Sequence, residues 1–229
     1  MKKRALSIIA VLALLIAALA VTAMAAETPV APNDASAYAA ENLTGLADYV
    51  KKTCPVCNKE VTWYSTGSIT KATNLGSYHY FINKNLSDSA EYVVPSGVTA
   101  CFYLNGFDIT SSSVAFAVEG TLNLIGKGTE TVSGSNYGNY PAIGATFDIL
   151  GGTVNLYGGT YTKNNAKAGP VIGTRNSAGT INIYAGTTVT GGTNSGNGGN
   201  IGLNYAGSSV SVYGGTVSNG TATHGGNIY

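Results

Sequence analysis

The sequence predicts an all-β protein whose main body is a right-handed parallel β-helix with coils of about 27–29 residues. Three observations support this prediction: internal repeats that align in register, alternation of apolar and polar residues within each repeat, and glycine-rich bends between strands. Glycine occupies 31 positions and charged residues make up only 10% of the chain, which favours β structure over helices.

The repeats are clearest in three segments that align without gaps: GGTVNLYGGT (151–160), AGTINIYAGT (178–187) and GSSVSVYGGT (207–216). They place Tyr157, Tyr184 and Tyr213 in one column, at intervals of 27 and 29 residues. A looser copy, EGTLNLIGKGT at 119–129, adds Ile125 to that column. Periods of this length indicate a solenoid or a propeller, and a propeller blade needs about 40 residues, so a β-helix is favoured.

A second column supports the same period. It contains isoleucines at intervals of 29, 29 and 27 residues: Ile143, Ile172, Ile201 and Ile228. Stacked coils would bring like residues together about 4.8 Å apart, and the glycine pairs would form the bends, where a positive φ is required.

Alternation within the repeats assigns the two faces of each strand. Val154 and Leu156 are predicted to face the interior, while Asn155 and Tyr157 face outward. The next two coils repeat this pattern, with inward Ile181, Ile183, Val210 and Val212 and outward Asn182, Tyr184, Ser211 and Tyr213. The expected interior is therefore narrow and aliphatic, with a row of tyrosines outside.

The N-terminus has the features of a Sec signal peptide at 1–25: three basic residues, an apolar stretch and the A-x-A site that ends at Ala25. The alternative is an uncleaved membrane anchor, because residues 5–26 carry no charge. A linker with one short helix is expected at 26–52, a CxxC unit at 53–64 and the β-helix at 65–229. The chain stops at the start of another repeat, GGNIY, so truncation at its C-terminal end is expected.

Several segments together resemble one group of proteins. They are CPVC followed by KEVTW, then GSYHYFINKNL, ACFYLNGFDI, GGTVNLYGGT and HGGNIY, and they extend over residues 53–229. This combination resembles the secreted or surface, repeat-rich β-helix proteins of gut and rumen Firmicutes, which are pectate-lyase-like in fold. The resemblance implies a right-handed parallel β-helix on an extracellular protein. Most members have no assigned function, so it implies no catalytic residues.

Cys54 and Cys57 have the C-x-x-C spacing of half a tetrahedral zinc site. Zinc, a disulfide in an oxidising exterior, and free thiols all remain open for this pair. A complete zinc site needs two more ligands, and the remaining candidates are His79, Cys101 and His224. Cys101 is expected to be a buried strand residue rather than a ligand.

The charged residues argue against an enzyme and against a nucleic-acid partner. After removal of the signal peptide, nine basic residues face eleven acidic ones, so no nucleic-acid or anionic-membrane partner is expected. Glycoside hydrolysis needs paired carboxylates, yet no Asp or Glu follows Asp148. Lys163, Lys167 and Arg175 are interpreted as a solvated basic group. The expected function is a non-enzymatic secreted or cell-surface scaffold, adhesin-like; the alternative is a polysaccharide lyase or glycoside hydrolase whose catalytic coil lies elsewhere.

The outward tyrosines, Tyr157, Tyr184 and Tyr213, are the candidate binding residues, together with Asn155 and Asn182. Exposed aromatic rings can stack on sugar faces and amides can bond to hydroxyls, so a cell-surface or dietary polysaccharide is the candidate partner. The favoured alternative is structural, because rings on adjacent coils can stack on one another.

Overall fold

The computed structural model describes residues 48–68, 74–88, 91–111, 114–132, 147–163 and 169–229. These residues form 21 short strands and one 3-10 turn at Thr66–Ser68, and no α-helix occurs among them. The strands are β1 (Tyr49–Cys54), β2 (Lys59–Ser65), β3 (His79–Phe81), β4 (Leu86–Asp88), β5 (Tyr92–Val94), β6 (Thr99–Tyr103), β7 (Ile109–Ser111), β8 (Phe116–Val118), β9 (Thr121–Ile125), β10 (Thr129–Val132), β11 (Phe147–Ile149), β12 (Thr153–Tyr157), β13 (Gly159–Lys163), β14 (Ile172–Thr174), β15 (Thr180–Tyr184), β16 (Thr187–Thr190), β17 (Thr193–Asn197), β18 (Ile201–Gly202), β19 (Ser209–Tyr213), β20 (Thr216–Ser218) and β21 (Thr221–His224).

Three parallel-rich sheets organise these strands. The first sheet has the order β1-β2-β3-β6-β9-β12-β15-β19, the second β20-β16-β13-β10-β7-β4 and the third β18-β14-β11-β8-β5. From β3 onward the chain visits the first, second and third sheets in that order and then returns to the first. A small fourth sheet pairs β17 with β21. The prediction of an all-β protein is confirmed.

The strand register confirms the predicted columns in the C-terminal repeats. Val154 pairs with Ile181, and Ile181 pairs with Val210, all in parallel strands of the first sheet. The distance along the chain between stacked residues is not constant, however. It is 22 residues from Cys101 to Asn123, 32 from Asn123 to Asn155 and 27 from Asn155 to Asn182. The predicted coil of about 27–29 residues therefore describes only the later part of the chain.

The second predicted column is only partly correct. Ile172 pairs with Ile201, and Ile201 bridges to Ile228, as expected. On its other side Ile172 pairs with Phe147, whereas Ile143 lies outside the described residues. Phe147 fits this position because its ring stacks on that of Phe116 at 5.8 Å between centroids.

The interior is more aromatic than predicted. From Val154 onward its first-sheet positions are aliphatic, but the earlier strands contribute a connected group of rings. Neighbouring rings in this group lie 5.3 to 6.2 Å apart between centroids: Tyr80, Tyr92, Phe102, Phe116, Phe147 and Tyr161. These separations are in the range that favours offset or edge-to-face ring pairs, so like-on-like stacking operates inside the coils as well.

The N-terminal boundaries also differ from the prediction. Residues 49–52, expected in the linker with a short helix, belong to β1, because the hairpin with β2 satisfies their backbone groups. The predicted boundary between the CxxC unit and the coils falls inside β2, which pairs in parallel with β3. The predicted signal peptide and residues 26–47 lie outside the described residues. Among the described residues, no helix is long and apolar enough to cross a membrane.

Gly152 shows how closely the backbones of successive repeats approach at a bend. A Cβ atom at this position would lie 2.4 Å from the carbonyl oxygen of Gly120 and 2.7 Å from that of Val118. Both oxygens already accept hydrogen bonds from the next coil. We expect Gly152→Ala to lower the free energy of unfolding by about 2 to 3 kcal/mol, because the coil backbones must separate.

Gly196→Ala is the matched control. A Cβ atom at Gly196 would have Asn194 Oδ1 as its nearest neighbour, at 3.6 Å, which is an ordinary van der Waals contact. The expected loss is within about 0.5 kcal/mol. Urea unfolding of both variants checks the difference, and equal midpoints would contradict the close coil contact at Gly152.

Candidate functional site

The three predicted tyrosines form a stack on the outer side of the first sheet. The rings of Tyr157 and Tyr184 are 4.4 Å apart between centroids and nearly parallel at 7°. Tyr184 and Tyr213 follow at 5.1 Å and 16°. Tyr157 and Tyr184 are only 2% exposed, whereas Tyr213, on the last strand of the sheet, is 52% exposed. The rings stack on one another, as the favoured structural alternative predicts, and Tyr157 and Tyr184 do not present the exposed faces that the binding interpretation needs.

The predicted asparagines are engaged with each other in a neighbouring column. Asn182 donates from Nδ2 to Asn155 Oδ1 at 2.8 Å, and Asn155 donates in the same way to Asn123 Oδ1 at 2.8 Å. Asn123 in turn donates to the Sγ atom of Cys101 at 3.5 Å. All three amides point their donors in one direction along the column. The amides therefore form a chain of hydrogen bonds between adjacent strands, and this chain ends at the Cys101 sulfur.

That cysteine lies next to a group of two thiols and one imidazole where the first strands meet. The β1–β2 hairpin carries Cys54 at its last β1 residue and Cys57 in the turn, where Asn58 has a φ of 51° and donates its backbone N–H to the Cys54 carbonyl. β3 supplies His79. Cys57 Sγ lies 3.7 Å from His79 Nε2, and the ligand atoms of Cys54, Cys57 and His79 all lie within 4.8 Å of one another.

Cys101 adjoins this group from β6. Its backbone pairs with His79 in parallel register, and its thiol lies beside that of Cys54. Cys54 and Cys101 are buried, and Cys57 is exposed. Cys101 is thus a buried strand residue, as predicted, but it also contacts the C-x-x-C pair. The three cysteines of the chain are all thiols, with no disulfide between them.

The electrostatics of the group place the first negative charge on Cys54. The hydrogen bond from the Cys101 thiol, helped by one from His79, lowers the pKa of Cys54 to about 4 against the opposing effect of burial. The same hydrogen bond, together with burial, raises the pKa of Cys101. Burial and the neighbouring Cys54 raise the pKa of Cys57. The pocket therefore stabilises one thiolate without any cation, and further thiolates need a positive charge beside them.

A second polar site lies on the third sheet, and it corrects the interpretation of the basic residues. The Arg175 guanidinium forms a salt bridge with the buried carboxylate of Asp148 on the preceding coil. Burial raises the pKa of Asp148, and the arginine partly offsets this effect. Lys163 is also buried, donates from Nζ to the Gly169 carbonyl at 3.1 Å, and has its pKa lowered to about 8 by burial. Neither Lys163 nor Arg175 is part of a solvated basic face, and Lys167 lies outside the described residues.

Sequence reasoning gave His79, Cys101 and His224 as the remaining ligand candidates, but it did not show which of them lie beside the C-x-x-C pair. One signal was available, because Cys101 occupies in its strand the position that Asn123 occupies in the next. That position faces outward, where an apolar side chain is not required. A cysteine there can point toward the hairpin rather than into the interior.

Comparison with known proteins gives no match to a family model, to a curated protein or to a solved structure. The role of the thiol and imidazole group is therefore argued from its geometry alone.

Proposed function

We propose that the chain is a non-enzymatic, secreted or cell-surface scaffold built as a right-handed parallel β-helix. The handedness follows the general preference of parallel strand crossovers. Three parallel sheets visited in cyclic order, with like residues in register, support the β-helix. Export rests on the predicted signal peptide.

The observation that carries the scaffold proposal is the use of outward side chains. The tyrosines stack on one another, the asparagines bond to one another, and Asp148 is paired with Arg175. In each case the partner lies on the adjacent coil. Groups that would bind or transform a substrate are instead engaged in holding coil to coil, which is expected of a protein selected for a rigid, extended body.

A polysaccharide ligand fits the predicted binding set only at Tyr213. Its ring is half exposed, whereas Tyr157 and Tyr184 present almost no free face. Sugar stacking requires an accessible ring face, so an adhesin-like contact through the whole row is not supported.

The enzyme alternative can be tested at Asp148, a carboxylate that is buried beside an arginine. We expect the chain to release no unsaturated or reducing ends from pectins and other acidic polysaccharides, because Asp148 is already neutralised by Arg175. Product above a heat-inactivated control would contradict the scaffold proposal. Loss of that product in Asp148→Asn would then place the catalytic site on the third sheet.

Export is tested separately by locating the chain in the cells that make it. Antibody labelling of intact cells and of culture medium is expected to detect the protein, with a mature N-terminus at Ala26. Detection only after cell lysis, with the N-terminus intact, would contradict a secreted or surface scaffold.

A further inference from the structure

We propose that Cys54, Cys57, His79 and Cys101 together bind one zinc ion, which fastens the β1–β2 hairpin to the next two strands of the first sheet. The four residues come from three separate places in the chain: the hairpin, β3 and β6. This site goes beyond the scaffold proposal, because the scaffold could exist with or without a metal.

Two of the ligand atoms are already spaced as a tetrahedral zinc site requires. Zinc bonds of about 2.3 Å to sulfur and 2.0 Å to nitrogen place neighbouring ligand atoms about 3.5 to 3.8 Å apart. The separation between Cys57 Sγ and His79 Nε2 is 3.7 Å. Cys54 has its sulfur within 4.8 Å of both of these atoms. Cys101 is buried on the strand beside His79 and lies next to Cys54, but outside this three-residue group. The proposal therefore requires the Cys101 side chain to turn toward the other three ligands when the ion binds.

The donor set selects the metal. Three thiolates and one imidazole are soft or borderline ligands, which suit zinc and exclude magnesium or calcium, both of which prefer oxygen. Four protein ligands also leave no open position, which is typical of a structural rather than a catalytic zinc site. Since Cys54 and Cys101 are buried, the ion would be largely shielded from solvent.

Neighbouring side chains support the ligands as an outer shell would. The Trp63 indole meets the His79 ring edge-on at 4.9 Å between centroids and is itself held by a hydrogen bond from Nε1 to the Lys52 carbonyl. Asn123 donates to Cys101 Sγ, at the end of the amide chain from Asn182. Hydrogen bonds to metal-bound thiolates and fixed ring orientations are common in zinc sites.

The main rival is a disulfide, either Cys54 with Cys57 or Cys54 with Cys101. Both outcomes can be distinguished on the full chain purified without reductant and without chelator. We expect one zinc per chain by elemental analysis and three thiols that react with a thiol reagent only after a chelator is added. Zinc removal should lower the melting temperature, and its return should restore it. An intact mass two hydrogens lower, with no metal, would overturn the proposal in favour of the disulfide.

The absorption spectrum of the cobalt(II)-substituted protein reports which atoms bind the metal. Replacing zinc with cobalt should give thiolate-to-metal charge-transfer bands and the intense ligand-field bands of a tetrahedral site with three sulfurs. Absence of these bands would overturn the proposal. Cys101→Ser should shift the bands to those of a two-sulfur site and weaken zinc binding by more than about 100-fold, beyond the loss caused by changing an outer-shell group.

Two further variants keep the test decisive. Cys57 is exposed, so Cys57→Ala should fold even if Cys101→Ser does not, and it should lose zinc affinity to a similar extent. His224→Asn removes the other histidine of the chain, which lies on β21, and should leave zinc content and the cobalt spectrum unchanged. If Cys101→Ser folds with an unchanged spectrum and affinity, Cys101 is not a ligand and the four-ligand site is wrong.

Discussion

Ile183→Asp is expected to lower the free energy of unfolding by about 5 kcal/mol, the largest effect that we expect of a single substitution in this protein. Ile183 is fully buried and pairs in register with Leu156 on one side and Val212 on the other. Aspartate would lose the apolar contacts of the isoleucine and place a carboxylate between the aliphatic side chains of Leu156 and Val212. Equilibrium denaturation in urea measures the loss.

The matched control lies three residues earlier on the same strand. Thr180 is half-buried, faces outward and accepts a hydrogen bond from Ser209 Oγ to its Oγ1, a bond that a carboxylate can still accept. Thr180→Asp should therefore cost less than about 1 kcal/mol. Comparable losses at the two positions would contradict the assignment of inner and outer faces. Asn182 is a poorer control, because its amide donates to Asn155 and aspartate could not.

Tyr184→Ala is expected to cost about 3 to 4 kcal/mol, the second largest effect. Its ring is almost fully buried between Tyr157 and Tyr213, so truncation removes two stacked pairs and leaves a cavity. The melting temperature and the urea midpoint should both fall. An unchanged slope of the unfolding free energy against urea concentration would show that the variant still buries the same surface when folded.

Tyr213→Ala provides the comparison within the same stack. Tyr213 has one ring neighbour among the three tyrosines and is half exposed, so about 1 kcal/mol is expected. If Tyr184→Ala instead melts like the parent chain and loses binding on a glycan array, the stack is a ligand site rather than a stabilising one.

The register of the later coils could be predicted because the stacked residues are alike. Tyrosine lies against tyrosine and branched aliphatic residues against each other, so each contact in space is also a similarity in sequence. The inward burial of Val154 and Ile181 followed from alternation and is confirmed. Val212, also predicted to face the interior, is instead 46% exposed, because it lies on β19 at the end of the first sheet.

The earlier strands could not be placed in this way, because their stacked residues differ. Trp63, His79, Cys101 and Asn123 occupy one column of the first sheet, yet they share neither size nor chemistry. Their separation along the chain also departs from that of the later coils, so no repeat identifies them. The exposure of the tyrosines was misjudged for a related reason: alternation tells which side of a strand a residue faces, and it does not tell what covers that side.

The β1–β2 hairpin has a consequence for the order in which the protein folds. Its strands are joined by four residues, whereas stacking the coils brings together residues such as Cys101 and Asn123, 22 positions apart, or Asn123 and Asn155, 32 apart. Closing a short loop costs less chain entropy than closing a long one, and local pairs form fastest. Among the described strands, the hairpin is therefore the folding nucleus with the lowest entropic cost, and it is also the first of them to be synthesised. Each later strand of the first sheet then finds a preformed edge on which to add.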